Sequence, residues 1–351
     1  MQDSSRLERA LELVEKDVNI AGFAGPIPNS LLARQDLEAA IVVLSDRQTP
    51  LRDRIVRQVG NGAAHLWNQR TSLTDWASGA AYANNLVSLF YTDGAIPPQL
   101  DPNFVQKTAA YKFLGVTGVI TGPMLAAGRS YADIEAEIAE SSLRAVIQNE
   151  EWAIFNGSSA INSLSFDGYD TQLTTNVSTL AGAALVANGT NIPAIDKLIK
   201  LTRLQGNSRL DGLYLSFGLQ NVVNQIVATA TRYFVNNDAS ASSLVAGDNV
   251  VTYASALGPI PIIGDFFCNS SSPYPANAQG SSGPQGFYTS TIYALRHDEQ
   301  GSAMVDLMPL GRTELAKIAD SVRFYINEYT VLAVKAEPWN AMLINVSDPI
   351  V

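Results

Sequence analysis

Residues 130–157, SYADIEAEIAESSLRAVIQNEEWAIFNG, are the stretch around which the chain is organised. The Ser130 hydroxyl can accept from a first-turn amide, and Asp133, Glu135, Glu137 and Glu140 put negative charge at the positive end of a helix dipole. Apolar or small residues recur at Tyr131, Ile134, Ile138, Ala145, Val146, Trp152 and Phe155, a single stripe with acids opposite. Asn156-Gly157 then offers a left-handed residue to stop the helix. The spacing predicts a helix over 130–155, about 38 Å long at ~1.5 Å per residue, a strut longer than most globular helices. Its paired acids, Glu150-Glu151 and Asp133/Glu137, are expected on a solvated face, with no pocket to shift them toward acid or base work.

Working backwards from the strut, KTAAYKFLGVTGVIT (107–121) reads as a strand and AAHLWNQRTSL (63–73) as its hairpin partner. The segment between them is too long for a tight turn and carries Trp76, Tyr82, Phe90 and Tyr91, so it reads as a projection seeking a partner. A two-stranded ribbon is marginal alone and needs outside support. Before it, TPLRDRIVRQVGNG (49–62) reads as an extended connection whose Arg52, Arg54 and Arg57 are either solvated or set against a neighbour's acids. Helical patterns near Leu7–Val14 and Leu31–Asp46 precede it.

Beyond the strut, a loop-rich stretch leads to a helix opened by Pro193 and stopped by Gly206, a short apolar strand over 210–217, and a second helix from Leu219. This alternation implies an α/β module. The last part reads as a meander of long strands, FYTSTIYALRHD, SAMVDLMPLG and SVRFYINEYTVLAVKAE, and then, past Pro338, the apolar WNAMLINV, which can return to an earlier sheet.

Composition limits what such a chain does. At 351 residues, 46% hydrophobic and 16% charged, it can bury a sizeable core and leaves much neutral surface suited to protein contacts. A net charge of −10 opposes general affinity for nucleic acid. The lone cysteine, Cys268, excludes an internal disulfide. No signal peptide or membrane span is read. The two histidines, His65 and His297, are not ligand-spaced, and no phosphate loop, dinucleotide fingerprint, nucleophile elbow or HExxH motif occurs. No enzyme activity, metal or cofactor is expected; a hydrolase using Asp167 or Glu150 is the contrary reading.

The order of these stretches resembles the major capsid protein of tailed bacteriophages, the Hong Kong 97-like α+β fold shared with encapsulins. TPLRDRIVRQ leading into AHLWNQRTSL, the return KTAAYKFLGVTGVIT, the handover GRSYADIEAEIAESSLRAVIQNEEWAIFNG, ALGPIPIIGD and VRFYINEYTVLAVKAEPWNAMLINV carry it. The resemblance implies an N-terminal arm (1–62), an extended β-hairpin loop (63–123), a peripheral domain with the spine helix (124–165 and 296–337) and an α/β axial domain (166–295 and 338–351). It further implies self-assembly into pentamers and hexamers of an icosahedral head around double-stranded DNA, in a virion capsid assembled in the host cytoplasm. A portal protein, a separate scaffolding protein and a decoration protein are the implied partners. Scaffolding is assigned to a separate chain because the region before Leu44 is short. Subunit contacts are expected at Arg52, Arg54, Arg57, Trp67, Arg70, Trp76, Tyr82, Phe90, Tyr91, Lys107 and Lys112. The family's Lys–Asn cross-link is not expected, since nothing identifies a partner for either lysine. An encapsulin shell around an enzyme cargo is the alternative.

Overall fold

A computed structural model of the chain describes residues 47–70, 91–96, 104–128, 133–181, 183–185, 192–231, 251–255, 257–268, 287–317 and 319–349. In chain order the elements are α1 (Pro50–Arg54), β1 (Arg57–Val59), β2 (Ala64–Arg70), β3 (Phe104–Ala110), β4 (Lys112–Thr121), α2 (Gly122–Gly128) and α3 (Ile134–Asn156). There follow α4 (Tyr169–Gln172), β5 (Val177–Thr179), α5 (Ile192–Leu204), β6 (Gly212–Leu215), α6 (Phe217–Thr231), β7 (Thr252–Ser255) and β8 (Gly258–Gly264). The last strands are β9 (Phe287–Leu295), β10 (Ser302–Glu314), β11 (Ser321–Val334) and β12 (Ala341–Pro349).

The strut is present as α3, and its start is fixed by Asp133, whose carboxylate accepts from the amides of Glu135 and Ala136 at 3.1 and 3.3 Å. Ser130 and Tyr131 lie outside the described residues. The end differs from expectation. Gly157 has φ −58°, so it is no left-handed stop. Its value is closeness: the backbone at Gly168 donates to the Gly157 carbonyl at 2.8 Å, and a Cβ on Gly168 would sit 2.5 Å from the Ala153 carbonyl oxygen. Gly206, at φ +89°, does end α5 in the left-handed manner.

Three sheets are described. One has four strands in the order β1-β10-β11-β4, one has six in the order β5-β12-β9-β6-β8-β7, and β2-β3 form a ribbon. The first half of α3 lies on the four-stranded sheet, where Val146 meets Ile120, Phe324 and Ile326, with Ile134 and Ile138 alongside. In the six-stranded sheet, β6 and β8 run parallel with α6 between them, while β12 pairs with β9 antiparallel and with β5 parallel. The predicted α/β module and returning terminal strand are thus both found. Leu198, Ile199 and Leu219 from α5 and α6 pack with Leu213, Ile262, Ile292 and Leu343 of that sheet. A third cluster joins the two sheets: Ile154 and Phe155 of α3 pack with Tyr214 and Tyr293 from one and Met304, Val305 and Leu332 from the other.

Three readings are corrected. The predicted return strand over 107–121 is two strands: β3 pairs with β2, and after Tyr111, which is buried, β4 pairs with β11. The chain changes sheets where one aromatic enters the core. The run from Thr49 is not wholly extended, since Pro50 opens α1 and Leu51 with Ile55 bury one side of it. Finally, β9 belongs to the six-stranded sheet and β10-β11 to the other, so the final strands are not one meander.

The close approach at Gly168 predicts that Gly168→Ala lowers stability by roughly 1–3 kcal/mol, whereas a Cβ on Gly311 meets only the Pro309 carbonyl oxygen at 3.8 Å, so that Gly311→Ala costs less. Urea denaturation followed by circular dichroism checks the order of the two.

Candidate functional site

The C-terminal half of α3 is enclosed, so its acids are not on a solvated face: Glu150 and Glu151 are both 0% exposed. That expectation is overturned because α1, β1, β10 and β11 close over the helix just where both acids fall. Glu151 caps α1, accepting from the amides of Leu51 at 2.8 Å and Arg52 at 2.7 Å. Glu150 takes the guanidinium groups of both Arg52 and Arg57. Arg57 also donates to Asp306 at 3.1 Å and to Glu328, and Thr330 donates to Asp306 at 2.6 Å. Arg52 and Arg57 therefore meet the acids of their own chain. The expectation that their side chains are solvated fails because the run carrying them lies across the spine helix. Arg54, on the outer side of α1, is exposed.

The charges do not cancel. Glu150, Glu328 and Asp306 stand against Arg52 and Arg57, an excess of one carboxylate. Burial, and next the Glu150 carboxylate, push Glu328 up to about 7, with Arg57 and Arg52 pulling the other way. Beside this group Glu151 lies against Asp265, whose Oδ1 accepts from the Phe267 amide at 2.8 Å. Burial holds both members of this second pair above the ordinary carboxylate range, and the contact with Asp265 adds to the rise of Glu151 while it lowers Asp265. Sequence reasoning missed Asp265, Asp306 and Glu328. A faint signal existed: Asp306 and Glu328 are acids set within long apolar strands.

Glu150, Glu151, Asp265 and Glu328 are fully buried, and among the described residues no group of three or more His, Cys, Asp or Glu could hold a metal ion. Asp167 spends its side chain on the Ser159 amide at 2.7 Å. His297 is buried, bonded to the Tyr214 hydroxyl at 2.8 Å, and pushed down to about 3 by burial and then by Arg54. It is neutral and structural. The chemistry of the cluster is that of a joint.

The contact candidates lie elsewhere. On the ribbon, Trp67 faces inward and packs against the joining core, and Gln69 donates to the Lys335 carbonyl. Register puts Leu66, Asn68, Arg70, Phe104, Gln106 and Thr108 on the opposite face, where Leu66 is 57% and Phe104 62% exposed. Lys107 is exposed opposite Trp67, and Lys112 donates to the Ser163 carbonyl at 2.5 Å. Tyr91 is exposed; Trp76, Tyr82 and Phe90 lie outside the described residues. Sequence reasoning overlooked Phe113, which is exposed and packs edge-on against Tyr329 with centroids 4.8 Å apart. No described helix is long and apolar enough to cross a membrane.

Neither a family model nor any curated protein matches this chain. Solved structures do. The capsid of a native GTA particle, computed with C5 symmetry, superposes with a TM-score of 0.59 at 13% identity, covering 91% of this chain and 97% of that one. An encapsulin complex of Synechococcus elongatus superposes with a TM-score of 0.56 at 11% identity, covering 90% and 93%. The capsid of Myoviridae phage XM1 gives 0.55 at 10% identity, covering 89% and 97%.

Removing Glu150 leaves two guanidinium groups facing a partly buried space with one acid fewer. Glu150→Ala is expected to destabilise by about 3 kcal/mol, the scale of breaking a buried ion pair, and Glu140→Ala, on the exposed face of α3, by well under ~1 kcal/mol. Parallel thermal melts of the two variants check this.

Proposed function

From the Hong Kong 97-like fold as premise, we propose that this chain is a structural capsid protein that assembles with copies of itself into a closed shell. The observation carrying the proposal is the likeness to capsid and encapsulin chains over about nine-tenths of both partners' lengths, together with the order of elements. The described geometry supports it physically. The ribbon turns Trp67 inward as an anchor and leaves Leu66 and Phe104 outward, apolar surface worth roughly 25 cal/mol per Å² when a neighbour covers it. Weak contacts of this kind suffice because a closed symmetric assembly repeats them.

In this reading the shell consists of pentamers and hexamers enclosing double-stranded DNA in a virion. A portal protein, a separate scaffolding protein and a decoration protein are its partners. Residues 1–62 serve as arm, 63–123 as extended loop, 124–165 and 296–337 as peripheral domain, and 166–295 with 338–351 as axial domain. Arg54, Arg70, Tyr91, Lys107 and Lys112 are subunit contacts, with Trp76, Tyr82 and Phe90 on the projection. No catalysis is proposed. The likeness to an encapsulin keeps a second reading, a compartment shell around an enzyme cargo.

Electron microscopy and sedimentation of the purified chain are expected to show shells or capsomers; a persistently dispersed monomer would sink the proposal. Nucleic acid within the particles selects the virion reading, and a protein cargo the compartment. Phe104→Asp is expected to leave the circular dichroism of the subunit unchanged while cutting shell yield severalfold, read by sedimentation.

A further inference from the structure

The joint beneath α1 holds five carboxyl groups against two guanidinium groups, and two of its carboxyl oxygens are placed where a proton fits. The charged and titratable groups facing it are Arg52 on α1, Arg57 on β1, Glu150 and Glu151 on α3, Tyr169 on α4, Tyr214 on β6, Asp306 on β10, Glu328 on β11, and Asp265 and Cys268 after β8, with the amides of Leu51 and Arg52 donating to Glu151. Among the described residues, Glu328 Oε2 is buried without a hydrogen-bond partner, 3.9 Å from Arg52 Nη2. Asp265 Oδ2 is likewise buried and unpartnered beside Glu151, whose two oxygens are both taken by amides.

We propose that this cluster is a proton-held latch: two buried protons, one on the Glu150–Glu328 side and one on the Glu151–Asp265 side, fasten residues 50–59 to the spine helix, and the strap loosens as they leave.

The sign follows from linkage. Glu328 has its folded value raised from an ordinary carboxylate to about 7, so its contribution is fully present below about pH 4.5 and lost as pH rises through 7. The Glu151–Asp265 pair, also raised, extends the loss to higher pH. The latch is closed in mild acid and opens in mild alkali, opposite to the usual surface ion pair. The elements held are small: α1 has five residues and β1 three, and among the described residues β1 pairs as a strand with β10 on one edge alone. Their backbone hydrogen bonding is thus slight, and side-chain contacts carry much of their hold. Residues 50–59 also lead directly into the ribbon, so a latch here sets how firmly the root of the ribbon is held.

The test is hydrogen–deuterium exchange of the full chain between pH 6 and 9, with rates divided by the intrinsic rate at each pH. Protection of peptides covering 50–59 is expected to fall at least fivefold across this range, while peptides from β9 keep theirs. Glu328→Gln, which carries no charge to lose, is expected to flatten the fall chiefly between pH 6 and 7, and Asp265→Asn to lessen it across the whole range. An unchanged wild-type profile, or variants whose profiles match the wild type, would overturn the latch. Should Glu328→Gln fail to fold, Asp265→Asn decides alone. A latch that fails this test leaves shell formation unaffected as a reading, since sedimentation reads the two separately.

Discussion

The arrangement depends on two adjacent carboxylates being held without water at the enclosed end of one helix. Glu150 gathers the guanidinium groups of Arg52 and Arg57, and Glu151 caps α1, so a five-residue helix and a three-residue strand are tied to the middle of the chain. Neither short element would persist by its own hydrogen bonds. Burying charge is costly, and an apolar replacement of equal shape could be as stable. What the ionic joint adds is register: bidentate and amide contacts at fixed distances allow one placement of the segment that leads to the ribbon.

Around that joint the two larger sheets share one core rather than two. Ile154 and Phe155 stand between Tyr214 and Tyr293 on one side and Val305 and Leu332 on the other, just past the acids. The helix therefore does two jobs along its length. Its first half covers the four-stranded sheet through Val146 and its neighbours, and its second half joins that sheet to the six-stranded one. A shared core of this kind can hold the root of a ribbon whose outer face leaves Leu66 and Phe104 exposed among polar residues.

Much of this was legible in the chain. Charge at the start of α3, Pro193 and Gly206 around α5, the paired strands of the ribbon and the apolar β12 follow from local rules that need no tertiary knowledge. The inward anchor Trp67 and the outward Leu66 alternate as a strand must. Less legible were the features set by neighbours distant in sequence. Phe113 reads as one more apolar strand residue, and only the position of Tyr329 and the open sheet face make it an exposed pair. Glu150 reads as a solvated acid on any helical wheel, because a wheel cannot show that α1 closes over it.

The sequence by itself determined the order of the main elements, the presence of a long spine helix and the lack of the catalytic motifs sought, since these rest on spacing of two or 3.6 residues and on residue chemistry. Tertiary structure alone decided that β3 and β4 part at Tyr111, that Gly157 and Gly168 serve close approach, and that five acids and two arginines converge beneath α1. Those acids come from positions up to 178 residues apart, Glu150 to Glu328. No local pattern encodes such a meeting; it exists because burial of the apolar faces on either side leaves the charges nowhere else to go.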